Sequence, residues 1–237
     1  MVSDSYLQQQ SEKTTSYAFN VYANYEFNLK QKHNFNIMLG ANAEGEEFYW
    51  HRSKKMGLLN PNQPEFGLAN GTQTVDGRHV HSATAGYFGR INYNWNEIWL
   101  LELNGRFDGS SSFPSKDRWA FFPSASVGYR FSQEGYFDKL RNIINNGKLR
   151  ASLGEIGNEA VGEDMFISTI STVDNRYWLD SEGNLMTMYN VPSLVSSSLT
   201  WERIRTLDLG IDLGFLNNEL NVSFDWYQRK TLDMLAP

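Results

Sequence analysis

The chain has 237 residues, enough for one undivided domain, and it is rich in aromatics (14%) and poor in proline (6 residues), which favours strands and turns over helical bundles. A formal net charge of -6 excludes an electrostatic footprint for nucleic-acid phosphates or an anionic membrane surface, so no nucleic-acid partner is expected. The absence of cysteine excludes disulfides, thiolate metal sites and cysteine nucleophiles.

No stretch approaches the roughly 20 continuous apolar residues of a membrane-spanning helix. Mean hydropathy is -0.50. A membrane barrel gives the same signature, because outward apolar and inward polar residues average out along each strand. Residues Met1 to Gln10 carry neither a basic nor an apolar leader region, so any export signal is expected upstream.

From Tyr17 to Leu29 every odd position is apolar (Tyr17, Phe19, Val21, Ala23, Tyr25, Phe27, Leu29), while even positions carry Asn20, Asn24, Glu26, Asn28 and Lys30. A period of two over this length predicts a long amphipathic strand. After Gln31 and Lys32 the pattern resumes, with Phe35, Ile37, Leu39, Ala41 and Ala43 opposite Asn34, Asn36 and Asn42. A third strand sets Ala85, Tyr87, Ile91, Tyr93 and Trp95 against Thr84, Arg90, Asn92 and Asn94. A fourth sets Trp99, Leu101, Leu103 and Phe107 against Glu102, Asn104, Arg106 and Asp108. The fifth runs from Trp119 to Phe131, and a shorter sixth is centred on Leu149, Ala151 and Leu153 with Lys148, Arg150 and Ser152 opposite. The seventh (Leu207 to Phe215) and eighth (Leu220 to Trp226) are joined at Asn217 and Asn218.

Connections alternate between short links (30–32, 96–97, 216–219) and long polar stretches (44–79, 109–118, 157–198), with an intermediate one at 132–146 that holds one helical turn. Strands that alternate in direction gather all the long loops at one end, the polarity of outer-membrane barrels. Tyr25, Phe27, Tyr93, Trp95, Trp99, Tyr129 and Phe131 all sit near short links, as an interfacial aromatic girdle would. A soluble β-sandwich that binds glycans has the same alternation, and about eight strands could also close as a small barrel. The sandwich requires the Tyr17 to Leu29 row to be buried under a second layer; the membrane barrel requires it bare.

Four ordered stretches resemble the C-terminal barrel half of the SusC/RagA family of TonB-dependent outer-membrane transporters. They are Arg106-Phe107-Asp108-Gly109-Ser110-Ser111-Ser112-Phe113; Phe122-Pro123-Ser124-Ala125-Ser126-Val127-Gly128-Tyr129; Lys148-Leu149-Arg150-Ala151-Ser152-Leu153-Gly154 with Gly157-Asn158; and Leu199-Thr200-Trp201-Glu202. The segment Asp225 to Leu235 resembles the family's next strand. The resemblance implies an all-β, antiparallel, up-and-down transmembrane barrel segment of about eight long strands, spanning 1–237 as part of a larger wall of roughly 22 strands. The plug and the remaining strands are expected elsewhere. It further implies a Gram-negative outer-membrane location and uptake of oligosaccharides or peptides with a SusD-like surface lipoprotein. The TonB complex would act through the plug region.

On this reading Arg90, Glu102, Arg106, Asp108, Arg130, Lys148, Arg150, Asp208, Asp212 and Asp225 are expected to line the lumen. Phe48, Tyr49 and Trp50, with Tyr177, Trp178 and Tyr189, are the candidate ligand-stacking aromatics of the long loops. His79 and His81 are spaced to share one strand face, with His51 in the same predicted loop, but two imidazoles without a fixed third ligand assign no metal. Glu44, Glu46 and Glu47 are expected to be solvated loop charge. No P-loop, G-x-S-x-G or H-E-x-x-H pattern is present, so neither cofactor nor enzymatic activity is expected.

Overall fold

The structure is a computed structural model that describes residues 5–159 and 199–234, together with 166–168, 170, 172–173, 179, 181–183, 188–192 and 195. Its strands are β1 (Tyr6–Leu29), β2 (His33–Met56), β3 (Gln73–Trp95), β4 (Trp99–Ser110), β5 (Trp119–Tyr129), β6 (Ile144–Asn158), the short β7 (Thr172–Val173) and β8 (Met188–Tyr189), β9 (Glu202–Phe215) and β10 (Leu220–Leu232). Eight of them form one sheet in the order β1-β2-β3-β4-β5-β6-β9-β10, and β7 pairs with β8 apart from it. The order is that of an up-and-down meander, as the alternation of hydrophobicity predicts.

The short links are tight turns whose central residues sit in the left-handed region: Lys30 and Gln31, Asn96 and Glu97, and Leu216 to Asn218 all have φ between 51° and 67°. Two consecutive positive φ values give the turn twist that matches right-twisted antiparallel strands. Amides close the loops, with Lys32 N–H donating to Leu29 O (3.3 Å), Ile98 N–H to Trp95 O (2.9 Å) and Glu219 N–H to Leu216 O (3.1 Å). The 132–146 link carries two 3₁₀ turns, Phe131–Gln133 and Gly135–Phe137.

Register turns the alternation within strands into rows across the sheet. Leu101, Val127, Ala151, Leu209 and Trp226 fall opposite one another from β4 to β10, and so do Leu103, Ala125, Leu153 and Leu207. On the other face Glu102 is opposite Ser126, Ser126 opposite Ser152, and Ser152 opposite Asp208. The apolar face is bare: Tyr17 is 65% exposed, Tyr25 68% and Phe224 65%. Among the described residues no second layer covers it, which removes the sandwich.

Aromatic side chains mark both edges of this apolar face. Near the short links Phe27 stacks on Phe35 (4.9 Å), Phe35 meets Tyr93 (4.8 Å) and Trp99 stacks on Tyr129 (4.4 Å). Towards the other strand ends Phe107 and Tyr87 stack on Trp119 at 5.1 and 6.2 Å. Trp99 and Phe107 lie eight residues apart on β4, about 27 Å along a strand and about 21 Å along the membrane normal at a tilt near 40°. That is close to the height of a barrel's apolar band.

The chain divides into two compact units, Met1–Phe19 with Ala43–Thr84, and Asn20–Asn42 with Ala85–Pro237. In the first, β1 starts earlier than the sequence pattern predicts, β2 runs on to Met56 and β3 begins at Gln73, so most of the expected 44–79 loop is strand. The apolar row stops at Ala43, where the outward position no longer needs to be greasy, but backbone pairing continues. The remaining turn is tied to β1, with Gly57 N–H donating to Ser5 O (2.8 Å) and Leu58 N–H to Ser5 Oγ (3.2 Å). Strand β6 is likewise longer than predicted, because its apolar row gives way to Gly147 before Leu149 and to Glu155 and Gly157 after Leu153 while its pairing continues.

The second unit holds a small core on the polar side of the sheet: Phe113, Ala120, Phe122, Leu199 and Trp201, with Phe166 against it. Trp201 contacts Phe113 (5.0 Å) and meets Phe122 edge-on (5.4 Å), and its indole N–H donates to Arg118 O (2.9 Å). A side chain at Gly157 would overlap the Phe122 ring. The four stretches that carry the family resemblance therefore converge, supplying Phe113, Phe122, Gly157 and Trp201 to one contact. With Trp201 only 5% exposed, Trp201→Ala is expected to cost about 3 to 5 kcal/mol, read by denaturant unfolding in lipid vesicles. In the same assay Leu103→Arg, in the middle of the apolar band, is expected to cost about 2 to 4 kcal/mol, whereas Ser126→Arg, opposite Glu102, changes stability by under about 1 kcal/mol.

Candidate functional site

The polar face is knitted by charge-assisted hydrogen bonds. Arg150 is at its centre: Nε and Nη2 donate to the two oxygens of Asp212 at 2.8 and 3.1 Å, and Nη2 also donates to Asp225 Oδ1 at 2.8 Å. Ser223 Oγ completes the shell of Asp212 at 2.9 Å. The register explains the fork, since Arg150 faces Gly210, whose missing side chain leaves room for the guanidinium between Asp212 and Asp225. On β4, Arg106 pairs with Asp108 through two bonds (2.8 and 3.0 Å) and reaches Asn42 at 3.4 Å. Arg90 donates to Asn104 Oδ1 (2.8 Å), whose amide donates to Glu102 (2.8 Å).

Three of the expected charges, Arg130, Lys148 and Asp208, stand outside these hydrogen-bonded groups. Arg130 pairs with Glu97 at 3.5 Å beside a short link, and Asp208 lies opposite Ser152. A concavity of about 940 Å³ in the second unit is lined by Glu26 and Asn28 of β1, Asn92 of β3, Glu102 of β4, Lys148 and Arg150 of β6 and Asp208 of β9. Strands far apart in the sheet thus look into one hollow. The sequence pattern misses one polar group, Glu155, which pairs with both Arg203 and Arg205. Its signal was the cross-strand register that sets Glu155 opposite Arg205, which a strand read singly does not reveal.

The candidate stacking aromatics do not form one platform. Phe48, Tyr49 and Trp50 lie on β2 rather than in a loop, so the period of two turns Tyr49 to the face opposite Phe48 and Trp50. Tyr49 meets His51 (5.8 Å) and His79 (5.7 Å), while the Arg52 guanidinium stands 5.8 Å from the Trp50 ring. Tyr189, on β8, is exposed. Tyr177 and Trp178 lie outside the described residues.

The paired histidines find a partner that sequence spacing did not single out. His79 Nε2 is 2.7 Å from Glu47 Oε1, and the His79 and His81 rings are 4.3 Å apart. Glu47, not His51, is the third member, and the ligand atoms of the three all lie within 4.8 Å of one another. These residues follow the end of the apolar rows at Ala43 on β2 and precede their start on β3, beyond the bilayer-crossing stretch. The hydrogen bond from His79 holds the Glu47 carboxyl below its usual range, helped by the nearby charges of His79, His81 and Lys13.

A bare apolar face bounded by rings, backed by a face of paired charges around a hollow, is the wall of an outer-membrane β-barrel. A family model described as TonB dependent receptor-like, beta-barrel matches residues 2–237, and the chain belongs to that family, on its SusC/RagA side. The chain is 30% identical over 226 residues to the TonB-dependent receptor SusC of Bacteroides thetaiotaomicron, covering 92% of this chain and 21% of that protein. It is 34% identical over 150 residues to the TonB-dependent receptor P3 of Formosa agariphila, covering 63% of this chain and 14% of that one. Solved structures of the RagAB peptide transporter share the fold with a TM-score of 0.85 at 22% identity, over 96% of this chain and 25% of theirs. The open-open state of the RagAB peptide importer gives 0.82 at 24% identity, over 98% and 25%. The chain thus spans about a fifth of the length of SusC.

The Arg150 fork yields a direct test. Arg150→Met leaves Asp212 and Asp225 facing each other without their shared cation and is expected to cost about 1 to 2 kcal/mol, since the group is only partly screened from water. Adding Asp212→Asn is expected to recover part of that loss, and a double-mutant cycle measured by urea unfolding in vesicles reads the coupling.

Proposed function

We propose that this chain is part of the wall of a TonB-dependent nutrient importer whose cargo is an oligosaccharide or a short peptide. The observation that carries the reading is the charged hollow behind the apolar face. Arg90, Glu102, Arg106, Asp108, Arg130, Arg150, Asp208, Asp212 and Asp225 would then face water inside the pore, some along the solute path and others against the plug. Paired charges suit such a surface, because the Arg106 and Arg150 cations are already matched and do not trap an anionic solute on its way through.

In this reading the solute is captured at the strand ends remote from the tight turns, under a SusD-like surface lipoprotein. Tyr189 and the Phe48 to Trp50 segment, with Tyr177 and Trp178, are the aromatic surfaces offered to sugar rings or peptide side chains. The TonB complex acts through the plug region to open the path. The likeness to the RagAB peptide transporter supports a peptide, and the aromatic and amide composition suits a sugar equally.

The test is uptake by intact cells that make the full-length protein, supplied in turn with labelled oligosaccharides and labelled peptides of a few units. Accumulation of one class is expected, and it should disappear both on deletion of the gene and on collapse of the proton gradient with a protonophore. Accumulation that survives both treatments would rule out energised import by this protein.

A further inference from the structure

We propose that Glu47, His79 and His81 form a binding site for a divalent transition ion of the Zn²⁺ kind on the extensions of β2 and β3. His79 and His81 are two apart on β3, so the pleat projects both imidazoles from one face, and Glu47 enters from the neighbouring strand β2. Two imidazoles and a carboxylate make a donor set suited to Zn²⁺, and their ligand atoms already lie within 4.8 Å of one another. At ligand distances of about 2.0 to 2.2 Å, tetrahedral donors stand about 3.4 Å apart, so the His79–Glu47 pair, now at 2.7 Å, must open slightly while the widest pair closes by about an ångström or so. All three side chains are exposed, which leaves them free to make that adjustment.

The bound ion replaces the direct hydrogen bond between His79 and Glu47, whose Nε2 and Oε1 are 2.7 Å apart. Three protein ligands leave a fourth position to water. Lys13 of β1 acts on Glu47 through space and opposes the cation, and Tyr49 and His51 of β2 also face the group. The ion ties β2 to β3 along the stretch of strand past Ala43, where the apolar row has ended. Protons compete with the ion for the same imidazole nitrogens, so acid favours its release.

The test uses the full-length transporter in detergent micelles, stripped with a chelator and titrated with ZnCl₂ by calorimetry and with CoCl₂ by visible absorption. One equivalent of Zn²⁺ and the intense bands of tetrahedral Co²⁺ are expected, and both should disappear when the chelator is added back. Glu47→Gln, His79→Gln and His81→Gln are each expected to weaken binding by about tenfold or more with the β circular-dichroism signal unchanged. His33→Gln, which removes an imidazole bonded to the Tyr93 hydroxyl at 2.8 Å, is expected to leave binding intact. No saturable Zn²⁺ binding, undiminished affinity in His81→Gln, or an equal loss in His33→Gln would each overturn the assignment.

Discussion

The structure depends on one constraint: inside hydrocarbon no water is available to a peptide group, so every backbone N–H and C=O must find its partner within the protein. A strand can meet this only through its neighbours, which is why the eight long strands here follow one another side by side. Once the backbone is committed to that pairing, the side chains have a single remaining freedom, which is to alternate. The lipid takes one parity and the aqueous interior takes the other. The rows from Leu101 to Trp226 and from Glu102 to Asp208 are the two outcomes of this rule read across the sheet.

This explains what was legible from the residues alone. Wherever the solvent on one side is lipid, the alternation is strict, as from Tyr17 to Leu29, and strand and face can be read one residue at a time. The tight turns were legible because alternation halts for two residues and then resumes in register. The strand extensions were not, since beyond Ala43 the pairing continues without leaving an apolar trace. Glu47 lay in that silent region. Its partnership with His79 depends on how β2 and β3 lie against each other, which neither strand encodes by itself.

The polar face was legible in kind but not in arrangement. Sequence parity placed Arg150, Asp212 and Asp225 on one side, yet the fork that joins them needs Gly210 between the two carboxylates, a relation that spans three strands. Similarly, the stretches that carry the family resemblance are separated along the chain and gain a physical reason only when Phe113, Phe122, Gly157 and Trp201 are seen to meet. Residues that mark a family by their order here mark it because they touch.

That meeting point also bears on how the wall assembles. Phe113 and Phe122 are made early in the chain, but the indole that covers them arrives from the far side of the long 159–198 stretch. Contacts between segments so remote in sequence form late, because a large loop must first be closed. Until then two phenyl rings destined for the wet side of the sheet have nowhere dry to go. The two rings thus wait on the closing of that loop, whereas the apolar rows need only lipid as their final home.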